Sequence, residues 1–342
     1  MKNKTIRVIS AIVISLAVLL ATVTLVGFIA MDAPVGGEGA PALFAVESGA
    51  NARAIVASLA RAGLVRSEAF AYLYVRAFGL KLKAGSFMLS PRMSTSVLLR
   101  RIDEGKQESR RVTIPEGLTL SEVARHLSSA GACDAAEFTT AAKDSKLLGE
   151  LGIAGPSAEG FLFPDTYFIP YGLAPKDIVS MMVNTFFDKT ASIPNLPTDR
   201  GELEQKVILA SIIEREYRVA DEAPRIASVF RNRLKIGMGL QSCATVVYII
   251  TEIQGKPHPE RLTNQDLDID SEYNTYKWAG LPPGPIASPG LTALSAACNP
   301  EDTSYLYFRL TDPEAGTHSF THSLDEHVRA GRTLDVKRPA AN

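Results

Sequence analysis

A run of 24 residues without a single charge, Val8 to Met31, constrains this chain more than any other feature. Lys2, Lys4 and Arg7 precede it and Asp32 ends it. As a helix rising about 1.5 Å per residue the run would span roughly 36 Å, enough to cross a bilayer core of about 30 Å. The positive flank should stay in the cytoplasm and send everything after it to the other side. A cleaved signal peptide would show an apolar core of about 7–15 residues. The longer run here predicts an uncleaved, single-pass anchor in the cell (inner) membrane, with the functional part extracytoplasmic or periplasmic.

The chain has 342 residues, enough for two or three domains with sizeable cores. Its formal net charge is −1, with basic residues scattered along the sequence, which does not suggest a nucleic-acid partner. Cys133, Cys243 and Cys298 are widely spaced, odd in number and form no C-x-x-C, so neither a zinc knuckle nor a dense disulfide framework is indicated.

Beyond the anchor, Asp32 to Pro41 is rich in Gly, Pro and Ala and reads as a linker. An internal repeat follows. Val46/Ile114, Gly49/Gly117, Ile55/Val123, Leu59/Leu127, Gly63/Gly131 and Phe70/Phe138 all share one offset of 68 residues. Each copy reads as a short strand, a glycine turn and an amphipathic helix stopped at an Ala-Gly C-cap, with a second helix beginning near Phe70 or Phe138. The copies also end alike, in Ala84-Gly85-Ser86-Phe87 and Glu159-Gly160-Phe161-Leu162, at an offset of 75. That alignment puts Glu159 where the first copy has Ala84.

From Gly201 the texture changes. Glu202 to Tyr217 predicts a strong helix with Val207, Ile208, Ala210, Ser211 and Ile212 as its buried stripe, and Ala223 to Leu234 a second. Gly280-Leu281-Pro282-Pro283-Gly284-Pro285-Ile286 predicts a rigid loop lining a groove. Tyr305-Leu306-Tyr307-Phe308 and His318-Ser319-Phe320 look like paired strands. The fold class is α+β.

The chemistry points to carboxylates. The chain has no G-x-S-x-G, no H-E-x-x-H and no phosphate-cradling loop, and His318, His322 and His327 read as surface or structural residues, so no metal and no cofactor is expected. Glu159 stands against a glycine and a run of aromatic residues. Burial beside apolar rings would let it hold a proton near neutral pH and donate it, as a general acid for glycosidic-bond cleavage must. Asp165, six residues on, would lie roughly 20 Å away along a straight strand, against the 5–9.5 Å of a paired-carboxylate hydrolase, and reads instead as a turn cap acting through Thr166. Glu214 and Glu216 point about 200° apart on a helix, so at most one faces a given cleft. A single acid suffices where the substrate supplies its own nucleophile. In peptidoglycan the muramic-acid 6-hydroxyl can attack its own C1 and leave a 1,6-anhydro ring.

These segments together resemble the endolytic murein transglycosylase (YceG-like) family. The resemblance rests on Glu159-Gly160-Phe161-Leu162-Phe163-Pro164-Asp165-Thr166-Tyr167, Ala210-Ser211-Ile212-Ile213-Glu214-Arg215-Glu216, Ala227-Ser228-Val229-Phe230-Arg231-Asn232-Arg233-Leu234, Tyr273-Asn274-Thr275-Tyr276, the 280–286 loop and Tyr305-Leu306-Tyr307-Phe308. It implies Glu159 as the catalytic glutamate and LysM-like N-terminal modules. It further implies cleavage inside nascent glycan strands to 1,6-anhydromuramoyl ends, which terminates elongation, with peptidoglycan synthases as partners. Glu214, Gln241, Asn274 and Tyr276 are expected to bind or support the glycan.

The expected organisation is a cytoplasmic tail at 1–7, a membrane helix at 8–31 and a linker at 32–42. A first α/β module at 43–110, a second, LysM-like module at 111–158, a catalytic domain at 159–335 and a tail at 336–342 complete it. One departure stands out: where the family carries Asp-Pro after its Leu-Gln-Thr/Ser, this chain has Cys243-Ala244. The rival readings are a non-catalytic peptidoglycan-binding scaffold and a two-carboxylate glycoside hydrolase.

Overall fold

The computed structural model describes residues 2–36 and 40–337; residues 37–39 of the expected linker and 338–342 of the expected tail lie outside the described residues. The chain divides into two compact units, residues 1–110 with 170–172, and residues 111–169 with 173–342.

In the first unit, helix α1 runs Lys2–Asp32. Its segment Ser10–Asp32 is long and apolar enough to cross a membrane. Strand β1 (Ala42–Val46), helices α2 (Ala52–Arg61) and α3 (Glu68–Phe78), strand β2 (Gly85–Leu89) and helix α4 (Thr95–Glu104) follow. β1 and β2 pair antiparallel, with Ala42 opposite Leu89 and Val46 opposite Gly85. Ile55, Val56, Leu59, Val75, Phe87 and Leu98 form the core of this unit.

The element order then recurs: β3 (Ser109–Thr113), α5 (Leu120–Ser129), α6 (Ala135–Ala141), α7 (Ser145–Leu151), β4 (Thr166–Pro170) and α8 (Pro175–Thr190). α2 and α5 sit 68 residues apart at both ends, with side-chain N-caps on Asn51 and Thr119 and left-handed glycines at Gly63 and Gly131. The second half of the repeat departs from expectation. β3 pairs with β4, which starts 81 residues after β2, so Ala84 aligns with Asp165 and not with Glu159. The 75-residue offset matched two Gly-containing segments of different structure, because α7 and the loop after it add chain before β4. Glu159 lies in that added loop.

The second unit continues with α9 (Arg200–Glu214), α10 (Ala223–Lys235) and α11 (Cys243–Tyr248), which runs on through a π-helical turn at Ile249–Ile253. α12 (Asn264–Leu267), α13 (Leu291–Cys298), the antiparallel pair β5 (Tyr307–Asp312) and β6 (Thr317–Thr321), and α14 (Leu324–Lys337) complete it. One core joins Val123 and Leu127 of α5, Phe161 and Phe163 of the loop, Phe186 of α8, Val207 and Ile212 of α9 and Leu294 of α13. The boundary expected between residues 158 and 159 falls inside this core. α9 ends at Glu214, earlier than expected, so Glu216 lies past the helix.

Candidate active site

Glu159 is held by a four-residue turn. The Phe161 N–H donates to the Ala158 carbonyl at 3.0 Å, and Gly160, third in the turn, has φ +81°. A type II turn needs that sign of φ at its third position, which glycine alone adopts at no steric cost. The glycine is required twice over, because a Cβ there would lie 2.6 Å from Pro285 and 2.7 Å from Val207. The turn is thereby wedged between Val207 of α9 and Pro285 of the proline-rich loop.

The Glu159 carboxylate reaches the N-terminus of α5. The Leu120 N–H donates to Oε1 at 2.9 Å and to Oε2 at 3.1 Å, and the Tyr248 hydroxyl stands 3.4 Å from Oε2. α5 starts with a capping box, Thr119 and Glu122, that occupies the Glu122 and Thr119 N–H groups and leaves the Leu120 N–H for Glu159. Two effects oppose each other here. The helix N-terminus and the Leu120 N–H favour the anion. Burial, at 5 % exposure, favours the acid, and the neighbouring Glu252 and Glu122 reinforce it. Burial wins, and the pKa is pushed up to about 8. A carboxyl in this state keeps its proton at neutral pH.

Beside it opens a cavity of about 400 Å³ whose wall includes Thr119, Glu122, Arg125, Arg215, Tyr248 and Glu252. Glu159 meets this wall through the Tyr248 hydroxyl and through the Leu120 N–H next to Thr119. Ala244, Val247, Tyr248, Thr251 and Glu252 reach this wall from α11 and the π turn, and the Tyr248 ring packs 5.1 Å from Tyr273. A π turn re-aims side chains within a helix and recurs at functional sites.

The other expected residues distribute differently. Gln241 and Tyr276 line a second cavity of about 310 Å³ with Cys243, Arg233, Tyr307 and His327. Cys243 is exposed, with its Sγ 3.1 Å from the Tyr276 hydroxyl. Adjacent residues at the start of α11 thus face different cavities, Cys243 the second and Ala244 the first. Gln241 takes φ +51°, with its N–H bonded to the Thr275 carbonyl.

Asn274 does not reach a groove. It is fully buried, its amide donates to the Leu267 and Ile269 carbonyls, and its Oδ1 accepts the Tyr276 N–H. It is the brace of its loop, because a buried amide must spend its hydrogen bonds on the backbone around it.

Glu214 also serves a loop. Its carboxylate accepts the Gly290 N–H at 2.9 Å, and burial pushes it up to about 7. Asp165 pairs with Lys189 at 2.9 Å and accepts the Thr166 N–H at 2.7 Å, so it is occupied at the edge of β4. Leu120, Tyr248 and Glu252 escaped the sequence reading. Only the Thr119-x-x-Glu122 capping signal was present to mark the helix start that Glu159 meets.

The YceG-like family matches residues 44–333 of the chain. An endolytic murein transglycosylase of Bacillus subtilis (strain 168) is 30% identical over 305 residues, covering 83% of this chain and 82% of the relative. An endolytic murein transglycosylase of Streptococcus pneumoniae (strain R6) is 29% identical over 314 residues, and there the match spans 56% of the relative's length. The crystal structure of a YceG-like protein from Listeria monocytogenes superposes with a TM-score of 0.57 at 30% identity, covering 84% of this chain and 98% of that one.

Proposed function

Because the chain belongs to the YceG-like family, we propose that it is a peptidoglycan lytic transglycosylase, a lyase that cleaves MurNAc–GlcNAc bonds within glycan strands. The observation that carries the chemistry is Glu159, a buried carboxyl pushed up to about 8 and bonded to the Leu120 N–H at the start of α5. Protonated, Glu159 gives its proton to the glycosidic oxygen as the C1–O bond breaks. The carboxylate left behind is stabilised by Leu120 and the helix N-terminus. It then takes the proton of the muramoyl 6-hydroxyl as that oxygen closes on C1. One bond breaks, one forms, the proton count balances, and the product is a 1,6-anhydro ring made without water. The Tyr248 hydroxyl, weakly held at 3.4 Å, is the contact a substrate oxygen displaces.

Gln241 and Tyr276 extend the glycan path from the second cavity, and Glu214 supports it indirectly through Gly290. The two strand–helix modules serve as LysM-like holders of glycan, a reading supported by their shared capped helices. On this reading the apolar helix α1 is a single-pass anchor with its N-terminus in the cytoplasm, and the enzyme works outside the membrane beside the synthases whose nascent strands it cuts. Glu252, which shares the cavity wall and adds to the rise in the Glu159 pKa, favours one second reading: a hydrolase using Glu252 to activate water. Mass spectrometry of peptidoglycan digested by the full chain separates the two. Anhydro ends that vanish in Glu159→Gln support the lyase, reducing ends indicate hydrolysis, and glycan binding without cleavage in the wild type rejects both.

A further inference from the structure

The first unit carries a surface that the chemistry at Glu159 does not use. Phe28 lies in the apolar segment Ser10–Asp32 of α1, and its ring sits 5.2 Å from Phe70 and 6.2 Å from Tyr74 on α3. The row continues along α3 to Phe78, whose ring is 4.4 Å from Tyr74. Phe28 precedes the end of α1 by four residues, about 6 Å of helix. A bilayer crossed by α1 therefore holds this part of α3 at the depth of the last helical turn, where acyl chains meet headgroups.

The junction is fastened on two sides. Arg66 donates to the Ala33 and Pro34 carbonyls at the end of α1, and Asp32 accepts the Ser96 N–H and hydroxyl. Leu73 and Phe78 flank the Phe28 contact, roughly 60° to one side of Phe70 and 80° to the other at about 3.6 residues per turn. Leu73 is 65% exposed and Phe78 55% exposed. Large apolar groups left open beside a membrane helix, among aromatic rings, are the pattern of an interfacial surface.

Charge gives an independent observation. Residues 42–110 hold 11 Lys and Arg against 5 Asp and Glu, a net of +6, in a chain whose total is −1. The basic residues are spread along the sequence, yet their excess belongs to the module that carries this apolar face. Arg76 is exposed about 60° beyond Leu73 around α3, at about 3.6 residues per turn, and Lys81 is exposed three residues past Phe78.

We propose that the α3 face of the first unit docks on the anionic phospholipid surface from which α1 emerges, with Leu73 and Phe78 inserted at headgroup depth and Arg76 and Lys81 against the headgroups. The module is then pinned flat to the bilayer by three elements: the anchor, the apolar pair and the charge. This holds whether or not Glu159 performs the chemistry above.

The test uses the full chain in vesicles of phosphatidylcholine, with or without phosphatidylglycerol, carrying a lipid spin-labelled near the headgroup. Trp278 is the sole tryptophan. In a Trp278→Phe background, Phe78→Trp and, in a separate protein, Leu73→Trp report on the face, and both positions are open enough to accept the ring. The expected result is blue-shifted emission, at least twofold quenching by the spin label and protection from iodide. Adding Arg76→Glu and Lys81→Glu should weaken the quenching in phosphatidylglycerol vesicles. Water-like emission with full access to iodide overturns the proposal. So does protection from iodide without lipid quenching, which would mean that protein covers the face. Quenching indifferent to both lipid charge and the reversed residues overturns the headgroup contact.

Discussion

The raised pKa of Glu159 is a statement about stability, and Glu159→Gln tests it. The folded-state value of about 8 lies above the reference of 4.5. Stability from the neutral carboxyl is therefore complete below the unfolded pKa and is lost as pH rises through the folded one. Between pH 5 and pH 9 the wild type should lose about 4 kcal/mol through this group, at about 1.36 kcal/mol per unit of separation. Glutamine has no proton to lose, and its Oε1 can still accept the Leu120 N–H. Its amide brings buried donors that cost about 1–3 kcal/mol if unpaired, but that offset is independent of pH. The readout is therefore the difference between the two proteins across pH, in which the other titrating groups cancel. Urea unfolding of the full chain in detergent micelles, followed by far-ultraviolet circular dichroism, should show the variant gaining on the wild type from pH 5 to pH 9, most steeply between pH 5 and pH 8. Parallel curves over that range would refute the claim that burial outweighs the helix N-terminus at this carboxylate.

Three further outcomes follow from neighbouring contacts. Glu252→Gln removes a negative charge that raises the Glu159 pKa, so the alkaline limb of the kcat/KM profile for glycan cleavage should move to lower pH; an unmoved limb would separate Glu252 from the acid. Gly160→Ala forces a Cβ into Pro285 and Val207 at φ +81°, and the left-handed strain plus overpacking should cost about 2–5 kcal/mol in urea unfolding. Asn274→Ala strips three hydrogen bonds from a buried loop, and should lower stability by about 1–3 kcal/mol. A rise in KM for glycan at unchanged stability would instead return Asn274 to the substrate groove.

How far the sequence speaks depends on whether a residue's role is local. α1 was legible from its uncharged run, α10 from its periodicity, and α2 and α5 from periodicity and caps together, and the 68-residue offset followed from two helices capped alike. The pairing of β3 with β4 was not legible, since it depends on where α7 and its loop return the chain. Gly85 and Gly160 gave the same letter to a strand start and a turn, and the alignment followed the letter. Asn274 read as a groove residue because an amide is polar. What it satisfies is backbone seven and five residues away, Leu267 and Ile269, which no pattern marks. Cys243 stands where the resembling family has Asp, yet its thiol faces Tyr276 and not the Glu159 cavity.

The carboxylate itself shows why the site needed three dimensions. A general acid that must later act as base has to hold its proton at the working pH and still tolerate the anion once the proton has gone. An apolar pocket alone satisfies the first demand and makes the anion too costly; a helix N-terminus alone satisfies the second and releases the proton too early. Here Glu159 comes from the added loop and Leu120 from the repeated helix, 39 residues before it. The capping box on Thr119 and Glu122 satisfies those two residues' own donors and leaves the Leu120 N–H for Glu159. On the proposed role, the carboxyl comes from the added loop, its anion-binding partner from the duplicated scaffold and the Tyr248 hydroxyl from α11, and no one of these segments read by itself contains that balance.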